Sequence, residues 1–419
     1  MLKTSLLLLL LAAMPAVIFA ENAAMAAPED DGSYLEGAPL EDLEPGESTA
    51  PYKAGAVKVS ASLRKRIQEL EKIAAEEKGQ DDAALERLAE KAGTKLRALR
   101  FTPELVEVLS DKSVDWRIRY GIMLQKNYAV SARAIGRYAD SLVAIMRDKE
   151  DHGRVRGMAA IMLLEVARTD SRVSEAMKET AKDPATPGEV LKNVMTVVGY
   201  AGGDDVDMLM ELTRREPADF NEIGINLNAI RALGKSKDPR AIGCLLKIYD
   251  ESAPDSFYHA TAILQFWEHI LTPEGRELVK PLIVPRFLKL LDDRSFRGSS
   301  RRDAAAILVY LGVKEAVEPI LRWFLPADGF SAKPGGGGNR MDVSAGARLL
   351  VQLGDARAIP VLERMIGNFA VDSRWTWGDG AIQKDMEEQG QKYPDDHMDY
   401  KHLKQCLKDL KKKVKGSGG

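Results

Sequence analysis

Five histidines and two cysteines are the side chains best suited to metal ligation or nucleophilic attack. His152, His259 and His269 are scattered, whereas His397 and His402 fall in YPDDHMDYKH at 393–402 beside Asp395, Asp396 and Asp399. Imidazole and carboxylate together hold zinc or another divalent ion. On a helix, residues five apart diverge by roughly 140°, so a local site would need a turn or a second segment. The segment therefore reads as a solvated acidic loop, and no metal ligand is assigned. Cys244 lies on an apolar stripe with Ile242 and Leu245, the setting of a small buried hydrophobe. Cys406 belongs to the tail. An oxidising compartment would permit a Cys244–Cys406 disulfide, and the sequence leaves their proximity open. A cysteine nucleophile needs a positioned base, and none is identifiable.

Other motifs point away from catalysis. No G-x-S-x-G elbow, H-E-x-x-H, P-loop or C-x-x-C occurs. The glycines of PGGGGN at 334–339 lack the following Gly-Lys-Ser/Thr and a preceding strand, so GFSAKPGGGGNRMD at 329–342 reads as a flexible insertion. No catalytic residue, cofactor-binding residue or cofactor is assigned. Trp375 and Trp377 stand two apart in VDSRWTWGDGAIQKDMEE at 371–388. Such aromatics can cover the end of a helical stack, anchor a protein partner or stack on a sugar-like ligand.

The elements around these residues are helices. Leu63, Ile67, Leu70 and Ile73 advance by four, three and three, and Leu85, Leu88, Ala92, Leu96 and Leu99 repeat the pattern. A helix pair over 59–101 follows, suited to cap an array. From about residue 102 one unit recurs: amphipathic helix, short Gly/Asp turn, amphipathic helix. Its copies are AIRALGKSKDPRAIGCLLKIYD at 229–250, RDAAAILVYLGVKEAVEPILRWF at 302–324 and SAGARLLVQLGDARAIPVLERMI at 344–366. Gly234 is expected to end a helix with positive φ, with Asp238 capping the next and Pro239 in its first turn. Gly199, Gly234, Gly312 and Gly354 give spacings of 35, 78 and 42 residues. A period of roughly 35–42 belongs to solenoids of helix pairs. The segment 251–301, with Pro273, Pro281 and Pro285, fits poorly and is expected to form a distorted or extended unit.

LG-x-x-x-D-P-R-A-I at 233–242 and LGDARAIPVL at 353–362 resemble HEAT repeats. DKSVDWRIRYG at 111–121 resembles the first helix of one, and DHGRVRGMAAIMLLEVA at 151–167 is a weaker copy. The resemblance covers residues 102–370, about seven units, and armadillo repeats are close relatives. It implies an all-α fold, an α-solenoid of stacked antiparallel helix pairs wound into a HEAT-like or armadillo-like superhelix. It also implies a non-enzymatic scaffold that binds another protein. Arg117, Arg119, Arg154 and Arg156 are candidate charged contacts on its rim, with Trp375 and Trp377 as aromatic anchors. One alternative is a lyase-like or cofactor-attachment enzyme on the same scaffold.

The ends concern address. Lys3, an apolar run from Leu6 to Ala13 and small residues beyond Pro15 have the layout of a signal peptide over 1–20. The apolar stretch is shorter than the ~20 residues of a membrane span. Export to a bacterial periplasm or the exterior is expected. Residues 21–58 read as an acidic disordered leader, with nine acids and no Lys or Arg in 21–52. Residues 371–400 read as an irregular aromatic and acidic segment. The tail, 401–419, carries seven lysines and one acid, with Leu403, Leu407 and Leu410 at helical spacing. This basic amphipathic segment suits a weak membrane contact, as in a structural envelope protein, a contact with the leader, or a solvated last helix. Overall Lys plus Arg is 60 against 63 acids, net −3, which gives no reason to expect nucleic acid as partner.

Overall fold

The computed structural model describes residues 50–324, 347–369 and 398–416, apart from 54, 78, 80, 128, 203–204, 215–219, 255 and 294–297. Trp375, Trp377, His397, the glycine-rich insertion and the segment 1–49 lie outside the described residues.

Local sequence explains where the helices start. Ser60, Asp81, Thr102, Ser131, Ser256 and Thr272 each accept the N–H three residues on, satisfying a donor that has no partner inside a helix. Pro103 and Pro273 occupy first turns, where a missing N–H costs nothing. The first elements are α1 (Ala61–Glu76), α2 (Asp82–Arg97), α3 (Pro103–Ser110) and α4 (Trp116–Asn127). Next come α5 (Ala132–Arg137), α6 (Ala139–Arg147), α7 (Gly153–Met162), α8 (Leu164–Ala167) and α9 (Ser171–Lys182). The middle holds α10 (Gly188–Ala201), α11 (Val206–Arg214), α12 (Phe220–Lys235), α13 (Arg240–Glu251) and α14 (Phe257–Ile270). The last are α15 (Pro273–Asp292), α16 (Gly298–Tyr310), α17 (Val317–Phe324), α18 (Ala358–Phe369) and α19 (Met398–Gly416). Residues 347–353 are helical as well.

These helices stack in two rows. Helices α2, α4, α7, α10, α12, α14 and α16 lie each against the next, and this row is the more closely packed. By this closer packing it is called the inner row here. The helices between them form the outer row. One apolar core runs through both, from Tyr52 to Leu410. Every unit needs its neighbours to bury its apolar stripe, so the chain is an α-solenoid of HEAT-like or armadillo-like type.

The glycines divide into two roles. Gly312 and Gly354 have φ of 67° and 64° and end helices in the left-handed region, where a side chain is strained. Gly234 does not: it lies inside α12, contrary to the sequence expectation. A Cβ there would come within 2.5 Å of Gln265 Oε1 on α14. At Gly199 on α10 a Cβ would meet backbone, 2.8 Å from the Asn228 carbonyl of α12. These two glycines are spaced by the repeat because they let successive inner helices approach.

A second recurring device lies at helix starts. In Asp115–Arg117, Asp170–Arg172, Asp238–Arg240 and Asp355–Arg357 the aspartate accepts the arginine's own N–H at 2.8–2.9 Å. Its other oxygen takes the guanidinium at 2.7 Å. Each arginine also reaches back one unit: Arg240 to Asp207 at 3.0 Å, Arg172 to Asp140 at 3.6 Å, Arg357 to Glu318, and Arg117 to the Glu77 carbonyl at 2.9 Å. One D-x-R step therefore caps a helix and ties two units. The proline-bearing segment also keeps the two-row order. Helix α15 runs 20 residues with Pro281 and Pro285 inside it, an extended unit in which each proline removes one intrahelical hydrogen bond.

Candidate protein-contact surface

The inner row ends in two rims. At the first, Trp116 opens α4 and His152 caps α7. Their rings stack with centroids 3.6 Å apart and planes 1° from parallel. His152 Nδ1 accepts the Arg154 N–H at 3.2 Å, which assigns the ring proton to Nε2. Burial holds its pKa below the ordinary imidazole value, so the ring is neutral at pH 7. Arg154 donates to Asp82 of α2 at 2.6 Å and lies 3.4 Å from Glu189 of α10. One side chain thus joins three layers of the row. Arg117 stands nearby, engaged with Asp115 and Glu77.

Two of the four arginines expected on this rim are interior. Arg119 is 3% exposed and makes a two-pronged pair with Asp151, itself 4% exposed, both bonds at 2.7 Å. It also donates to the Val114 carbonyl at 3.2 Å. Arg156, also buried, donates to the Met146 carbonyl at 3.0 Å. Both arginines hold the turns between helices in place. Only Arg117 and Arg154 of the four reach solvent, and the reason is register: Arg119 and Arg156 fall on the core-facing side of α4 and α7.

The opposite rim was not legible from the sequence. Tyr200, at the end of α10, donates its hydroxyl to Glu165 at 2.8 Å and accepts from Arg168 at 3.2 Å. Arg168 and Lys235 stand 5.1 and 5.0 Å from its ring centroid, within range of cation–π attraction. Lys235 Nζ donates to the Tyr200 carbonyl at 2.6 Å. Two turns earlier on α12, Asn228 donates to Thr196 at 3.0 Å and accepts from Arg231 Nη1 at 2.7 Å. Burial pushes the Arg231 guanidinium below its ordinary value. Two layers on, Arg276 donates to the Tyr310 hydroxyl at 3.0 Å, and Trp267 meets the Tyr310 ring edge-on at 5.3 Å. The signal available was faint: Asn228, Arg231 and Lys235 are spaced three and four along a helix that also carries Asn221, Glu222 and Asn226.

Among the described residues no three His, Cys, Asp or Glu side chains cluster to hold a metal. Cys244 and Cys406 are free and buried. Burial raises both thiols, that of Cys406 to about 11, so neither is a thiolate at neutral pH. Cys406 lies 3.4 Å from His402 Nε2 on α19.

The tail takes a place inside the array. Leu403, Cys406 and Leu410 of α19 are buried, and α19 packs on α18. Lys411 pairs with Glu363 at 2.8 Å and Lys413 donates to the Gln352 carbonyl at 2.8 Å. The apolar face that would enter a membrane covers the last unit instead. Among the described residues no helix is long and apolar enough to cross a membrane.

No protein-family model and no curated protein matches the chain. Two solved structures are similar in outline. A chain in the structure of Kap95p bound to RanGDP is 13% identical with a TM-score of 0.31, over 73% of this chain and 48% of that one. This chain thus spans about half the length of that relative. Human deoxyhypusine hydroxylase, in complex with glycerol, is 16% identical with a TM-score of 0.23, over 78% of this chain and 99% of the other.

Proposed function

We propose that the chain is a protein-binding scaffold whose contact surface is the inner row with its two rims. The observation that carries this is the placement of Trp116, Arg154, Tyr200 and Arg231 on successive layers of one face. A surface of aromatic and guanidinium side chains held in fixed orientation matches the composition of protein–protein hot spots. Arg154 is held by Asp82 and Glu189, and Tyr200 by Glu165, Arg168 and Lys235, which lowers the entropy lost on binding. Export through the segment 1–20 belongs to the same reading and places the partner in an envelope or external compartment.

Site-specific photo-crosslinking in the native host tests it. A crosslinker at Lys192 on the inner row should capture one protein, and the yield should fall in R154E and Y200A. A crosslinker at Lys247 on the outer row should not capture it. Equal capture from both rows, or capture unaffected by either substitution, would refute the inner-surface reading. Cell fractionation with N-terminal sequencing checks export: the mature chain should begin after Ala20 or Ala26 and leave the cytoplasm.

A further inference from the structure

Arg117, Arg154, Arg240 and Arg286 each meet an Asp or Glu. Arg276 meets none among the described residues. It stands in the first turn of α15, where the helix dipole disfavours a cation. Its Nε donates to the Ile270 carbonyl at 3.1 Å, and one Nη2 hydrogen goes to the Tyr310 hydroxyl at 3.0 Å. The acids beside it in sequence, Glu274 and Glu277, lie about 200° and 100° around the helix from it. The half-buried guanidinium is thus fixed at two points. Its Nη1 hydrogens and the second Nη2 hydrogen meet no acceptor among the described residues.

The surroundings of Arg276 are aromatic and apolar. Tyr310 is the last residue of α16 and is 46% exposed. Its oxygen accepts from Arg276, and its own O–H hydrogen goes to no acceptor among the described residues. The guanidinium carbon lies 5.2 Å from the Tyr310 ring centroid, within cation–π range. Trp267 of α14 meets the same ring with planes 64° apart. Leu271, 37% exposed, stands one turn beyond Trp267. A guanidinium and a phenol hydroxyl side by side suit a carboxylate, which can accept from both. The cluster carries one positive charge, so one carboxylate neutralises it. A doubly charged phosphate would leave negative charge against apolar rings. An aliphatic residue next to that carboxylate would cover Trp267 and Leu271, exclude water and strengthen the pair.

We propose that the Trp267–Arg276–Tyr310 corner of this rim seats a carboxylate side chain of the partner protein, with an aliphatic residue beside it packed on Trp267 and Leu271. The inference rests on the reading of the rim as part of the contact surface and names the chemistry of the group that docks there.

An array of immobilised synthetic hexapeptides, probed with the full mature chain, tests this. Each peptide carries one leucine, with Glu, Gln, Lys or phosphoserine one to three residues away in a Gly/Ser background. Glu peptides should retain the chain, and their Gln counterparts should not. In solution the best Glu peptide should bind R276M at least about tenfold more weakly, and Y310F about three- to tenfold more weakly. High salt should weaken it as well. L271E sets a carboxylate of the chain's own next to the Ile270 carbonyl that holds Arg276. It should weaken binding as R276M does while leaving the melting temperature unchanged, which keeps the test decisive if R276M disturbs the turn. Equal retention of Glu and Gln peptides, stronger retention of Lys or phosphoserine peptides, or binding unchanged in R276M and L271E would overturn the proposal, as would no retention at all. If the Glu peptides fail while photo-crosslinking from Lys192 still captures a partner, the carboxylate assignment alone falls. If both fail, the surface reading falls with it.

Discussion

Arg119 and Asp151 show why a charge in the sequence is not yet a charge on the surface. Each is almost wholly buried, and each satisfies the other through two parallel hydrogen bonds. Removing one partner leaves an uncompensated interior charge, so D151A or R119M should cost about 3–5 kcal/mol by urea unfolding, and R119M/D151L much less than the sum. His259 gives a second test. It is 1% exposed and packs against the Tyr249 ring at 4.4 Å. Burial lowers its pKa from 6.5 to about 4, with the charge of Asp250 opposing. The folded chain then binds fewer protons than the unfolded chain below the unfolded pKa. Its contribution is fully present above pH 6.5 and is lost as pH falls toward about 4. Between about pH 7.5 and 5 the chain should lose about 2 kcal/mol through this group, above the range where the paired carboxylates titrate. H259F should flatten that part of the profile.

At the scale of elements, stability depends on how closely the inner helices pass. A methyl at Gly199 would press on the Asn228 carbonyl, which is backbone and cannot swing aside. G199A should therefore destabilise by about 1–3 kcal/mol. Gly243, inside α13 with open space within 4 Å of where a Cβ would stand, is the control. G243A should stabilise by about 0.5–1 kcal/mol through helix propensity. Thermal melts of both variants decide the matter, since propensity alone would move them the same way. The D-x-R step predicts a separate effect. R240A removes both the cap partner of Asp238 and the tie to Asp207. These contacts are exposed and screened by solvent, so the expected loss is small.

At the scale of the whole molecule, contacts are made between neighbouring layers, so damage at one end should stay there. Helix α19 covers α18 with Leu403, Cys406 and Leu410. Deleting 398–419 should raise hydrogen exchange in α18 and in residues 347–353 while leaving α4 to α12 protected. Uniform loss of protection would instead show one cooperative unit. The same arrangement bears on the lysine-rich tail: vesicle binding through its apolar face would require α19 to leave α18, so anionic vesicles should enhance exchange in α18 if that contact occurs.

Helix existence, the repeat period and the solenoid were written in the sequence, because each depends on local spacing. Apolar residues three and four apart form a stripe, and a stripe that recurs every 35–42 residues can be buried only by stacking. Capping by Asp238 was legible for the same reason, since Asp and Arg two residues apart meet within one turn. The rim was only partly legible. Whether Arg117 or Arg119 faces water depends on the rotation of α4 in the stack, and the two differ by about 200° around the helix. The role of Gly234 depended on a neighbour 31 positions away, Gln265. Tyr200, Lys235 and Arg168 come together from three different helices or their ends. That the described hydrogen-bond partner of Arg231 is the Asn228 amide depends on the placement of α12 in the stack, and only packing in three dimensions decides it.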